Sequence, residues 1–223
     1  QQYQTDAVEN TVAVFQGQPS HTLSAYRRDL GTYKEQRITY KEEETGYGNY
    51  RLELDKQTML MNIRFVQNLY DITPSETLAK GVAPVNLDIE METGTGKTYV
   101  YIKTMFELNK QYGWSKFIVV VPSIAIREGV AKSFTMLEEH FMELYGKKAR
   151  WFVYNSSNLQ QLDSFSSDSG LCVMIINTQA FAASMKEGGR SKESRILYSK
   201  RDEFGSRRPI DVIAANNPIV IMD

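Results

Sequence analysis

Apolar side chains recur along this chain in two rhythms, and each predicts a different element. Near the N-terminus Ala7, Val8, Val12 and Phe15 fall at helical spacing, which predicts an amphipathic helix over residues 4–15. Met59, Leu60, Ile63, Val66 and Leu69 repeat that spacing over residues 56–71, and Thr73-Pro74 ends the run. Residues 99–110 read as a helix, as does the stretch from the cap Pro122-Ser123 as far as Leu144. Continuous apolar runs mark strands instead. Residues 116–121 suit a strand buried on both faces, and residues 85–89, 150–154, 171–176 and 218–222 are further strand candidates. Strands separated by helices with short joins predict βαβ units, hence an α/β fold with a mostly parallel central sheet flanked by helices. Residues 17–55 break the pattern. They are polar and charged, and alternation in Arg37-Ile38-Thr39-Tyr40 and Tyr50-Arg51-Leu52-Glu53-Leu54 around Gly46-Tyr47-Gly48 predicts a β-hairpin insertion. The serine-rich residues 164–170 read as a loop.

Composition narrows the class without naming a function. The 223 residues are 42% hydrophobic and 24% charged, ordinary for a globular protein, which removes disordered and fibrous classes from consideration. A net charge of −1 neither supports nor excludes a nucleic-acid partner, which would have to be met by a local basic surface. The single cysteine, Cys172, lies in an apolar run where a thiol behaves as a small hydrophobe, and it excludes an internal disulfide or a cysteine-built zinc site. His21 and His140 have no Cys or His partner at metal-ligand spacing. No stretch approaches the roughly 18 apolar residues of a membrane span, and Gln1-Gln2-Tyr3-Gln4 lacks a signal pattern, so a cytoplasmic protein with no membrane partner is expected. Because the chain starts without methionine and stops inside the apolar run 219–222, we expect a piece of a longer polypeptide.

The chemistry concentrates at Met91-Glu92-Thr93-Gly94-Thr95-Gly96-Lys97-Thr98, between the strand candidate 85–89 and the helix that begins near Tyr99. Glycines there let backbone N–H groups converge on anionic oxygens, and the following helix aims its positive end at the same place. Lys97 adds a fixed cation for the β and γ phosphates of a nucleoside triphosphate, and the Thr98 hydroxyl is placed to ligate Mg²⁺. Glu92, Thr93, Gly94, Thr95, Gly96, Lys97 and Thr98 are therefore the expected ATP-binding residues. Met91 stands where the common spelling has its first glycine, which narrows the family to helicase-type motors. A nucleotide motor also needs a carboxylate for Mg²⁺ at the end of a buried strand, and Asp223, after Ile219-Val220-Ile221-Met222, fits that place. Lys97 and Asp223 are thus the expected catalytic residues, with Thr98 and Asp223 on the metal.

Four segments together carry a resemblance: residues 91–98; Val119-Val120-Val121-Pro122-Ser123-Ile124-Ala125-Ile126-Arg127-Glu128-Gly129-Val130; Ile176-Asn177-Thr178-Gln179-Ala180-Phe181; and residues 219–223. In this order they resemble the first motor domain of a superfamily 2 helicase, and the second segment resembles the Res subunit of type III restriction enzymes. The resemblance covers residues 85–223, and Gln4 if the N-terminal helix is the family's adenine-reading segment. It implies a RecA-like P-loop domain over residues 1–223, with a second motor domain and a nuclease domain beyond the chain end. It implies ATP and Mg²⁺ as cofactors and Gln4 as the amide that pairs with adenine. It also implies double-stranded DNA as partner, with Pro122, Ser123, Arg127, Thr178 and Gln179 on its backbone, and a methyltransferase (modification) subunit beside it. The implied activity is ATP hydrolysis driving movement on DNA, with little turnover by residues 1–223 alone, since the second motor domain supplies part of the cleft. Another superfamily 2 DNA or RNA helicase, or a nucleotide-binding module without turnover, are the alternatives.

Two features remain outside these motifs. Residues 186–208 carry eight Lys or Arg against four acids, a candidate DNA-facing loop or, more simply, a mixed-charge surface. Tyr40, Tyr47 and Tyr50 are candidates for base stacking or for packing across a hairpin.

Overall fold

The computed structural model describes residues 1–31, 45–81, 83–181 and 192–223, and the chain divides into two compact units. The first contains residues 1–21 and 51–113; the second contains residues 22–50 and 114–223.

Three helices build the first unit: α1 (Gln2–Ala13), α2 (Lys56–Leu69) and α3 (Lys97–Tyr112). All three were legible in the apolar spacing. Asp55 starts α2 by accepting a hydrogen bond from the Thr58 N–H at 2.7 Å, which satisfies one of the helix's unpaired donors. The helix α3 buries Val100, Ile102, Met105, Phe106 and Leu108, while α1 buries Val8 and Val12. Phe15 and Tyr112 meet edge to face at 6.3 Å, and the Tyr112 hydroxyl donates to the Val12 carbonyl at 3.1 Å. Gly113 ends α3 at φ +79°, and a Cβ there would collide with the His21 carbonyl oxygen, so only glycine serves.

The strand expected over residues 85–89 does not form. None of its backbone groups enters a ladder with another described segment, and a strand exists only through such pairing. Ile89 is left 47% exposed.

The second unit holds the sheet. Its strands β3 (Lys116–Val121), β4 (Arg150–Val153), β5 (Cys172–Asn177) and β6 (Ile219–Met222) lie in the order β4-β5-β3-β6, every pair parallel. All six residues of β3 are buried, as the continuous apolar run predicts for a central parallel strand. The helix α4 (Ile124–Met136) packs on β3, β4 and β5, with Phe134 stacked on Trp151 at 5.9 Å. On the sheet's other side Phe152 meets Phe165 of α6 (Gln160–Ser167), in a core completed by Leu197 of α8 (Lys192–Tyr198) and Ile213 of α9 (Pro209–Ala215). A RecA-like α/β fold results.

Three expectations change here. The helix expected as far as Leu144 is two, α4 and α5 (Glu138–Tyr145), because Leu137 turns out of helical geometry at φ −95°, ψ 0°. The expected serine-rich loop is largely α6, since burying Leu162 and Phe165 outweighs the weak helix preference of its serines, and Ser166 accepts a hydrogen bond from Asn216 at 3.1 Å. A hairpin lies within residues 17–55, where Ser24–Arg27 (β1) pairs antiparallel with Thr45–Gly48 (β2). Residues 37–40 lie outside the described residues. Residues 50–54 form no strand because other groups take their backbone: Trp114 Nε1 donates to the Tyr50 carbonyl, and the Gln18 side chain bonds both Arg51 O and Glu53 N. Tyr47 pairs with Ala25 in the hairpin register; Tyr40 lies outside the described residues.

Lys116 is fully buried at the start of β3, its ammonium donating to the Phe165 carbonyl at 2.5 Å and to that of Asp168. Beside it Cys172 is 3% exposed, and burial pushes its thiol from 9.0 up to about 12. A raised value means that the folded chain holds a proton that the unfolded chain releases, so this stabilisation is complete below pH 9 and is lost as pH climbs towards 12. Cys172→Ala is therefore expected to cost about 1 kcal/mol at neutral pH and to flatten the alkaline limb of stability, read from urea midpoints on either side of pH 9.

Candidate functional site

In the first unit the glycine-rich segment lies where the sequence places it. Gly94 (φ +80°) and Gly96 (φ +89°) adopt left-handed backbone that admits glycine readily, and Gly96 is the N-cap of α3. A Cβ at Gly94 would meet nothing within 4 Å, so the turn is open to an incoming anion. Thr95 closes it by donating its hydroxyl to the Glu92 carbonyl at 2.6 Å. Glu92 and Thr93 are exposed, Thr98 is half-buried in the first helical turn, and exposed Lys97 folds its ammonium back to the Met91 carbonyl at 3.3 Å. These groups fit a triphosphate: donors at a helix N-terminus, one cation, and a hydroxyl for the metal.

Gln4 reaches this loop. Its amide donates to the Thr95 carbonyl at 2.8 Å, and the Tyr3 hydroxyl donates to the same oxygen at 3.2 Å. Tyr3 was not legible as a loop partner, because the signal is a contact 92 residues away in sequence. A Cβ at Gly96 would stand 2.5 Å from Gln4 Nε2. Gly96→Ala, strained in backbone and displacing Gln4, is expected to weaken binding of a fluorescent ATP analogue by about tenfold or more; equal binding would show that the loop tolerates a side chain.

In the second unit the parallel register brings the carboxyl ends of the strands to one edge, with Val121 beside Asn177 and Val120 beside Met222. Asp223 continues β6, its N–H donating to the Val120 carbonyl at 3.0 Å. Ser123 is the N-cap of α4, accepting from the Ile126 N–H at 3.2 Å, and Pro122 and Ser123 are exposed. Thr178 donates its hydroxyl to the Val121 carbonyl at 3.1 Å, tying the start of α7 (Thr178–Phe181) to β3, while Gln179 is exposed. Arg127 and Asn177 line a cleft of about 420 Å³ at this edge, together with Glu128, Tyr154, Asn155 and Ser156. The sequence assigned the last three no role in the site, since the turn after β4 bears no motif, and Glu128 lay inside the second motif without a role of its own.

The basic stretch 186–208 is described only in part. Residues 186–191 lie outside the described residues. Of the rest, Arg207 is buried on Asp163 at 2.7 Å and over the Phe204 ring at 3.9 Å, Arg201 pairs with Glu203, and Arg208 pairs with Asp211. Among the described residues these guanidinium charges are answered within the unit.

A glycine-rich loop capping a helix and a parallel sheet with polar turns at its carboxyl edge define a helicase-type P-loop protein. The chain belongs to the family described as "Type III restriction enzyme, res subunit", whose model matches residues 1–223. It is similar to the Res subunit of the type III restriction-modification enzyme EcoP15I from Escherichia coli, at 30% identity over 78% of this chain and 19% of that protein. The EcoPI Res subunit of Escherichia phage P1 is 39% identical over 48% of this chain and 11% of its own length. The StyLTI Res subunit of Salmonella typhimurium is 33% identical over 62% and 15%. The chain thus spans less than a fifth of these curated relatives. Among the described residues no helix is long and apolar enough to cross a membrane.

Proposed function

We propose that this chain is the ATP-binding first motor domain of a type III restriction endonuclease subunit that moves on duplex DNA. The observation that carries it is the open, left-handed turn at Gly94 and Gly96 leading into α3, braced by Gln4 and Tyr3. Backbone donors of that turn and Lys97 would hold the phosphates, with Thr98 and Asp223 as ligands of Mg²⁺. A Mg²⁺ ion held by Thr98 and Asp223 would supply positive charge against the negative charge that develops on the phosphates during transfer. Gln4 keeps a second N–H for adenine, and its carbonyl oxygen, which accepts from the Gln1 ammonium at 3.0 Å, has a second lone pair to offer, the pair of donor and acceptor that favours ATP over GTP. At the carboxyl edge of the sheet, Pro122, Ser123, Arg127, Thr178 and Gln179 would contact the sugar-phosphate backbone, which positions DNA without reading its sequence.

The named relatives are Res subunits of restriction-modification enzymes, which supports a modification methyltransferase as partner and site recognition by that partner. The test is calorimetric titration of MgATP into the full-length protein and into Lys97→Ala. Saturable binding in the parent, absent in the variant, supports the reading; equal binding by both overturns it.

A further inference from the structure

The arginine at the candidate DNA edge is already answered by a carboxylate. Arg127 donates from Nε and Nη2 to the Glu128 carboxylate at 3.3 and 3.0 Å, and from Nη1 to Asn177 Oδ1 at 3.4 Å. The pair lines the 420 Å³ cleft, to which Asn155 and Ser156 add neutral polar groups. Adjacent helical residues do not ordinarily face each other, so the pairing bends both side chains towards one place. The Glu128 side chain is 65% exposed and that of Arg127 26%, so the carboxylate can swing into solvent while the guanidinium stays at the cleft.

We propose that Glu128 occupies the phosphate position on Arg127, so that nucleic-acid backbone enters this cleft by displacing an internal anion. The inference rests on the backbone-binding reading above and adds a residue that sets its strength. A carboxylate and a phosphate oxygen use the same fork of guanidinium donors, so only one holds it at a time. Exchange has a purpose in a motor that moves along DNA: each grip must also release, and an anion that recaptures Arg127 keeps the released state from being an unpaired cation. Glu128 is a positioning residue here, acting through Arg127.

Exchange of Glu128 for phosphate sets both an affinity and a salt dependence. An arginine already neutralised by Glu128 releases few counterions when it meets a phosphate, whereas an unpaired one contributes up to about 0.9 to the slope of log K against log salt. Anisotropy of a short fluorescein-labelled duplex, titrated with the full-length protein over a range of KCl concentrations, reads both. Glu128→Gln is expected to tighten binding about threefold to fivefold and to steepen the slope, and Arg127→Ala to weaken binding. In Arg127→Ala the further change Glu128→Gln should have no effect. An equal gain from Glu128→Gln with and without Arg127 would show a general charge effect and overturn the exchange. Unchanged affinity in Arg127→Ala would overturn the backbone-binding reading of this edge itself.

Discussion

Lys97→Ala in the full-length protein is expected to lower ATP hydrolysis at least about a hundredfold, the scale on which removing one preorganised electrostatic group acts. The ammonium folds back on the Met91 carbonyl at 3.3 Å and would turn outward to the phosphates, exchanging one backbone oxygen for several charged ones. Neither the core of α3 nor the capping glycine depends on it, since Lys97 is exposed and the buried face begins at Val100. Unfolding should therefore leave the same urea midpoint in parent and variant. A loss of activity accompanied by a large fall in that midpoint would assign Lys97 to the fold.

Asp223→Asn is expected to act on the metal. The substitution keeps size and hydrogen bonding capacity and removes one negative charge from the end of β6, where the Asp223 N–H still completes the ladder to Val120. Hydrolysis should fall by about a hundredfold or more, while binding of ATP without divalent metal stays near that of the parent. Raising Mg²⁺ should recover part of the rate, because a weakened ligand set fills at higher metal concentration. A variant whose Mg²⁺ dependence matches the parent would remove Asp223 from the metal.

How far the sequence could be read depended on whether a feature is local. The glycines, Lys97 and Thr98 announce a phosphate loop because the loop's geometry is made by neighbouring residues alone. Strands β3 and β5 were legible because burial on both faces leaves an unbroken apolar run. Residues 85–89 alternate apolar and polar side chains, also a strand pattern, and form no strand, since pairing is supplied by a neighbour and not by the segment itself. The hairpin was placed correctly in the chain, but residues 50–54 are not one of its strands: side chains of Gln18 and Trp114, distant in sequence, take the backbone groups that alternation assigned to a ladder. The same holds for the candidate site. Ser123, Arg127 and Thr178 were found through motif wording, whereas Tyr3 on Thr95 and Glu128 on Arg127 exist only as contacts of folded side chains.

If nucleotide turnover in this protein serves movement on duplex DNA, as proposed, the ATPase rate of the full-length protein must respond to linear duplex. We expect duplex to stimulate hydrolysis severalfold in the parent and to leave Lys97→Ala at background. Hydrolysis indifferent to duplex, or stimulated by RNA alone, would contradict the account and assign the loop to an RNA helicase or to a nucleotide-binding module.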